Sequence, residues 1–315
     1  MRIVFFGNSE FSLRVLEKLI IHNFDFLVVT SSDKPAGRGL VKKVGYVKSF
    51  CLSKGIPFSH DDEWSEVAKK ISDFKPDFYV VASYGKIIPS EILDLLRRER
   101  RLNVHPSLLP RWRGPAPIQW TILSGDQKTG VSIALVDEKV DTGDIVFQKE
   151  EIVFPDDDFV TLLRLFDMAG EVLPMVMDSI AKGKAEFKKQ NESEATWARM
   201  IKKEDGFFSF KEDAEMIHRK MRAFLVWPKI YTYIRSERVI IHKTFLLNDW
   251  KMVEGKNAGD VVHIDQKGIY VACGEENVRI IILALVQREG RSILSGNDFA
   301  NGMRIKVGDN ILDYV

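Results

Sequence analysis

Apolar, β-rich runs recur through the first half of the chain with helix-length stretches between them, and this alternation limits the fold more than any other feature. Residues 2–6 read as a strand, and 10–21 carry apolar residues at helical spacing. Residues 26–30 are again apolar and β-rich, while 64–71 have the helical period. Residues 77–82 form a strongly apolar strand, a helix is expected after Pro89, and 102–104 are a short strand. Strands alternating with helices imply a Rossmann-like, mostly parallel sheet covered on both faces, an α/β fold. In such a sheet the ligand crevice lies beyond the carboxyl ends of the strands. Chemistry is therefore to be sought in the segments after residues 6, 30, 82 and 103.

At 315 residues the chain is too long for one ordinary core. Residues 131–136 and 144–154 add two strands, and an amphipathic helix is expected from about 159 to 182. The pattern changes after a polar, lysine-rich stretch. One helical segment, 214–224, precedes short alternating runs at 230–234, 238–242, 259–264, 268–273 and 278–286. Polar turns separate these runs, as in a small β-barrel, which the family resemblance given below makes OB-like. The expected division is a catalytic domain over 1–188, a basic linker over 189–206 and a barrel domain over 207–315.

Composition excludes some classes. Hydrophobic residues make up 45% and charged residues 29%, as in soluble globular proteins. No apolar run approaches the ~20 residues of a membrane span, and the first segment lacks the zones of a signal peptide. Cys51 and Cys273 lie far apart without metal-ligand spacing, which suits two reduced thiols in a cytoplasmic protein. The net charge of +1 does not announce a nucleic-acid binder. Basic residues do cluster, at Arg97, Arg98, Arg100 and Arg101, and at Lys182, Lys184, Lys188 and Lys189, continued by Lys202 and Lys203. Such runs are most often solvated faces.

The densest group of unusual residues is the run from Asn103 through Val104, His105, Pro106, Ser107, Leu108, Leu109 and Pro110 to Arg113, Gly114, Pro115 and Pro117. In extended chain Asn103 and His105 share a face, and the prolines stiffen the loop that follows. The pair suits acyl transfer. An amide donates to the oxyanion that develops when an amine attacks a formyl carbon, and an imidazole takes or relays the proton. A carboxylate to orient the imidazole is available from Asp141 in the turn Asp141-Thr142-Gly143-Asp144, with Asp144 as competitor. The bland reading is a capping Asn, a hydrogen-bonded His and an ordinary β-turn. On the residues alone, both readings and both aspartates stay open.

The run from Asn103 to Pro110, followed by Arg113-Gly114 and Asp141-Thr142-Gly143, closely resembles the folate-dependent formyltransferase family. The resemblance implies catalytic roles for Asn103, His105 and Asp141, and selects Asp141 over Asp144. It also implies that Ser107, Leu108, Leu109 and Pro110 pack against the donor, 10-formyltetrahydrofolate, a co-substrate. The implied reaction is direct amine attack through a tetrahedral intermediate, with no acyl-enzyme. No metal is expected, since His22, His60, His218, His242 and His263 are scattered.

Family members formylate a purine precursor, an amino-sugar nucleotide or methionyl-tRNA, and one relative hydrolyses the donor. The loop Pro35-Ala36-Gly37-Arg38-Gly39, with Lys42 and Lys43, resembles the insertion with which the methionyl-tRNA branch probes the acceptor stem. Ala195-Thr196-Trp197-Ala198-Arg199, Arg222-Ala223-Phe224 with Trp227-Pro228, and Gly290 to Gly296 continue that likeness through the second domain. Initiator methionyl-tRNA is thus the implied acceptor, met through Arg38, Lys42, Lys43, Lys202 and Lys203 by a monomer in the cytoplasm. An amino-sugar nucleotide is the alternative. A non-catalytic tRNA-binding protein ranks third, because all three catalytic positions are filled. Two departures stand out: Gly7-Asn8-Ser9-Glu10-Phe11 replaces a common Gly-Thr-Pro-x-Phe, and Leu225-Val226 precede Trp227-Pro228.

Overall fold

The computed structural model describes residues 1–36, 41–247 and 250–312. The chain begins with β1 (Arg2–Phe6), α1 (Glu10–Ile20), β2 (Asp25–Thr30), the short strands β3 (Lys34–Ala36) and β4 (Val41–Lys43), and α2 (Tyr46–Lys54). There follow β5 (Phe58–His60), α3 (Trp64–Phe74), β6 (Phe78–Ala82), α4 (Ser90–Leu93), β7 (Arg101–His105) and α5 (Pro117–Ser124). Next come β8 (Lys128–Leu135), β9 (Ile145–Ile152), α6 (Arg164–Ala181) and α7 (Ala214–Ala223). The last part holds β10 (Ile230–Ile234), β11 (Glu237–Leu247), α8 (Trp250–Val253), β12 (Val261–Asp265), β13 (Gly268–Cys273), β14 (Arg279–Arg288), β15 (Ile293–Ser295) and α9 (Gly296–Met303). Two compact units result: Met1–Pro117 with Gln127–Phe154 and Leu162–Arg199, and Ile118–Asp126 with Pro155–Thr161 and Met200–Val315.

Among the described residues the first unit has a seven-stranded sheet in the order β5-β2-β1-β6-β7-β8-β9. The strands from β5 to β7 are parallel; β8 and β9 add on antiparallel. After the exposed Arg2, central β1 is apolar, as suits a strand covered on both faces, and Ile3, Val4, Phe5 and Phe6 are fully buried. On one face Val4 and Phe6 pack with Leu27, Val29 and Tyr79 against Val67 and Ile71 of α3. Helices α1 and α6 run together, with Phe11 stacked on Phe166 and Arg14 paired to Asp167 at 2.7 Å. The strand order reverses between β1 and β6, and this reversal opens a crevice at their carboxyl ends.

Helix α6 starts later than its amphipathic pattern predicts. Asp158 and Thr161 exchange side-chain and backbone hydrogen bonds at 2.8 Å, and a 3₁₀ turn over Thr161–Leu163 follows. Short polar side chains compete here with the helical ladder.

The second unit is built on an antiparallel sheet in the order β10-β11-β14-β13-β12, with β15 beside β14. Ile234, Val239, Ile269, Val271, Ile281 and Leu283 are buried at its centre. The expected strand over 238–242 is only the front of the longer β11. A bulge at Ile241/Lys243 resets which side chains face inward, so the alternation breaks although the strand continues.

Candidate active site

The loop after β1 is a polar strut. Asn8 Nδ2 donates to the Tyr84 carbonyl at 2.5 Å, while Asn8 Oδ1 accepts from the Ser31 N–H at 2.6 Å and the Thr30 hydroxyl at 3.1 Å. Ser9 caps α1, and the buried Ser12 hydroxyl donates to the Ala82 carbonyl at 2.7 Å. The departure from the family's first loop thus ties together the ends of β1, β2 and β6. A cavity of about 420 Å³ opens there, lined among others by Asn8, Ser31, Tyr84 and Lys86. Beside it lies the Asp61 carboxylate, fully buried, 2.5 Å from Lys86 Nζ and accepting from the Tyr84 hydroxyl at 2.7 Å. Burial acts against the charged carboxylate, but the hydrogen bonds from Lys86 and Tyr84 prevail and lower its pKa.

At the end of β7 the structure brings Asn103, His105 and Asp141 together. Asn103 Nδ2 donates to Asp141 Oδ1 at 2.9 Å, and the Gly114 N–H donates to Asp141 Oδ2 at 2.8 Å. His105 Nδ1 lies 3.5 Å from that same Oδ2. The other ring nitrogen, Nε2, is 2.8 Å from the Trp112 carbonyl, which only accepts, so Nε2 donates. The His105 and Asp141 side chains are 5% and 9% exposed, so their mutual contact is sheltered from water. Asp141 has φ +55°, a left-handed conformation that a short polar side chain tolerates. Asp144, three residues on, faces elsewhere: Arg98 holds it at 3.1 Å and Asp137 at 3.0 Å. One arginine of the basic run is thereby used within the protein.

Ser107 to Pro110 form a wall supported from beneath. Buried Ser132 of β8 accepts from the Leu109 N–H at 3.0 Å and donates to the Ser107 carbonyl at 2.6 Å. Gln148 of β9 donates to the Leu109 carbonyl at 2.8 Å, and Ser107 Oγ donates to the Arg111 carbonyl at 2.6 Å. Leu109 packs with Ala134 and Ile145, and the Leu109–Pro110 peptide is cis. Sequence reasoning missed Ser132 and Gln148. A lone serine in the apolar run of β8 was a usable signal, whereas Gln148 offered none.

Arg113 also serves more than its motif suggests. Its guanidinium, 1% exposed, is held by Glu192 through two hydrogen bonds at 2.9 and 2.8 Å and by Gln190 Oε1 at 2.9 Å. The Arg113 N–H donates to the Thr196 carbonyl at 2.9 Å, and the Arg113 carbonyl accepts from the Ala198 N–H at 2.7 Å. Arg38 lies outside the described residues, as do the side chains of Lys42 and Lys43, whose backbones run in β4. Lys202 and Lys203 are exposed at a 3₁₀ turn of the second unit. Cys51 and Cys273 are both buried, and burial pushes the Cys51 thiol up to about 11. Among the described residues no set of three His, Cys, Asp or Glu is placed to hold a metal, and no helix is long and apolar enough to cross a membrane.

Residues 1–177 match the model of the formyl transferase family, and residues 200–304 match that of the formyl transferase C-terminal domain. A methionyl-tRNA formyltransferase of Marinobacter nauticus is 37% identical over 306 residues, covering 96% of each chain. One from Thermodesulfovibrio yellowstonii is 34% identical and covers 97% of each. Among solved structures, HypX from Aquifex aeolicus in complex with tetrahydrofolic acid superposes with a TM-score of 0.66 at 16% identity, over all of this chain and 50% of that one. An N-formyltransferase from Helicobacter canadensis, in complex with folinic acid and dTDP-3-aminofucose, gives 0.65 at 18% identity over 91% of this chain and 98% of that one. Likeness at that level speaks for the fold alone, whereas the curated relatives run nearly end to end with the sequence. By its match to the family models and its likeness to the curated relatives, the chain belongs to the formyl transferase family.

Proposed function

We propose that this enzyme transfers the formyl group of 10-formyltetrahydrofolate to the α-amine of initiator methionyl-tRNA, for translation initiation. The acceptor rests on the near-full-length likeness to relatives named methionyl-tRNA formyltransferase. The chemistry rests on one observation: Asn103, His105 and Asp141 meet at the carboxyl end of β7. In this reading one N–H of the Asn103 amide stays on Asp141 and the second is aimed at the oxygen of the formyl group under attack. His105 relays the proton lost by the attacking amine, with Asp141 orienting the ring and supporting its charge. The wall from Ser107 to Pro110 carries the donor. Arg38, Lys42, Lys43, Lys202 and Lys203 meet the tRNA, the second unit serving as an OB-like tRNA-binding barrel. The working division remains a catalytic domain over 1–188, a linker over 189–206 and a barrel over 207–315, in a cytoplasmic monomer. An amino-sugar acceptor is not favoured, since the sugar formyltransferases among the structural neighbours are 17–20% identical.

A side-by-side transfer assay with 10-formyltetrahydrofolate tests this, using methionyl-initiator tRNA in one arm and a UDP-linked amino sugar in the other. Product is expected only on tRNA. The variant His105→Ala, with an unchanged circular dichroism spectrum, is expected to slow that transfer by about 10²- to 10⁴-fold. Faster transfer to the sugar would overturn the acceptor, and wild-type rates from His105→Ala would overturn the site.

A further inference from the structure

We infer that Gln190 is a positioning residue for Asp141, joining the two loops that meet at the active site; the inference rests on the catalytic reading of Asn103, His105 and Asp141. Gln190 Nε2 donates to the Asp141 carbonyl at 2.9 Å and to the Gly143 carbonyl at 2.7 Å. Its Oε1 accepts from Arg113 Nε at 2.9 Å. One side chain therefore spans the turn bearing Asp141 and the loop whose Gly114 N–H holds the Asp141 carboxylate. The orientation of the amide follows from its partners. Flipped, its oxygen would face two carbonyls and its N–H₂ would face a guanidinium, leaving no hydrogen bond intact.

The turn needs such a brace. Asp141 sits at φ +55°, a left-handed conformation that a short polar side chain tolerates but does not fix by itself. Its carboxylate must then accept from Asn103 and Gly114 while lying beside His105. Gln190 binds the backbone of that turn at two points, Asp141 and Gly143. Arg113, itself anchored by Glu192, holds the other end of the glutamine. The hydrogen bonds of Gln190 go to Asp141, Gly143 and Arg113 and not to His105. Its effect is to keep Asp141 in register with His105.

The test uses the full chain and steady-state formyl transfer to methionyl-initiator tRNA, with Gln190→Glu, Gln190→Leu and Asp141→Asn measured together. Gln190→Glu keeps the acceptor for Arg113 but presents a second oxygen to the two carbonyls, so it isolates the brace. If Gln190→Leu does not fold, Gln190→Glu carries the test. The expected result is a fall in kcat by about 10- to 100-fold in Gln190→Glu, with both KM values little changed and the pH profile of kcat altered. Adding Gln190→Glu to Asp141→Asn is expected to cost little more, because both act through the same carboxylate. A folded Gln190→Glu with wild-type kcat, or one that loses only thermal stability, overturns the inference. Wild-type kcat in Asp141→Asn would instead overturn the catalytic reading on which it rests, so the two failures are distinguishable.

Discussion

A Cβ placed on Gly143 would lie 1.9 Å from the Leu135 carbonyl oxygen, so the turn carrying Asp141 is pressed against the end of β8 as closely as backbone allows. Gly143→Ala is expected to push that turn away, destabilising the protein by roughly 1–3 kcal/mol in urea unfolding and lowering kcat. Thr142→Ala, which loses only an exposed hydrogen bond to the Lys139 carbonyl, is expected to stay within about 0.5 kcal/mol. Equal effects from both would show that the close approach is not what the glycine serves. The same turn shows where sequence spacing runs out. Asp141 and Asp144 are both acidic, both near a glycine and three positions apart. What separates them is the left-handed backbone at Asp141 and the position of Arg98, a residue of a distant run that claims Asp144.

Among the elements, α7 carries a partly buried titratable group, His218. His218 Nδ1 meets the Thr244 hydroxyl of β11 at 2.8 Å. Burial, reinforced by nearby Arg222, pushes its pKa down to about 4. The folded ring therefore stays neutral to about pH 4, while the unfolded ring takes up a proton near pH 6.5. Between those values the unfolded state binds more protons, so stability is lost as the pH falls, on the order of 3 kcal/mol across the window. His218→Gln is expected to flatten the dependence of Tm on pH between 6.5 and 4, read by differential scanning calorimetry. An unchanged slope would move the cause to another group. The elements themselves were legible where the apolar period was unbroken, as in β1, α1 and β6. The bulge in β11 and the polar turn before α6 each moved an element's bounds for a local reason, and α2, β5, α5, β15 and α9 were not read from the sequence.

For the whole molecule, a net charge of +1 supplies little long-range attraction to a polyanion. In the proposed reading, binding of tRNA depends on local basic groups such as the exposed Lys202 and Lys203. The double change Lys202→Ala with Lys203→Ala is expected to weaken binding and raise the KM for tRNA without changing that for the donor. It is also expected to reduce the slope of log affinity against log salt by about 1 for each phosphate that a lysine no longer neutralises. An unchanged slope would assign the phosphate-binding role to other residues. Patterning along the chain made most strands and helices of the first unit legible, together with the change to antiparallel strands in the second, and contiguous motifs carried the family resemblance on which the roles proposed for Asn103 and His105 rest. Those features are carried by period-two and helical patterning and by contiguous motifs, which need no knowledge of distant neighbours. Folding alone brings Asp144 to Arg98, sets Ser132 and Gln148 beneath the segment from Ser107 to Pro110, and leads Gln190 and Glu192 back to Arg113. These partners are brought together from separate strands and from the segment after α6 by packing, and polar residues of their kind have no period along a chain that would reveal the pairing.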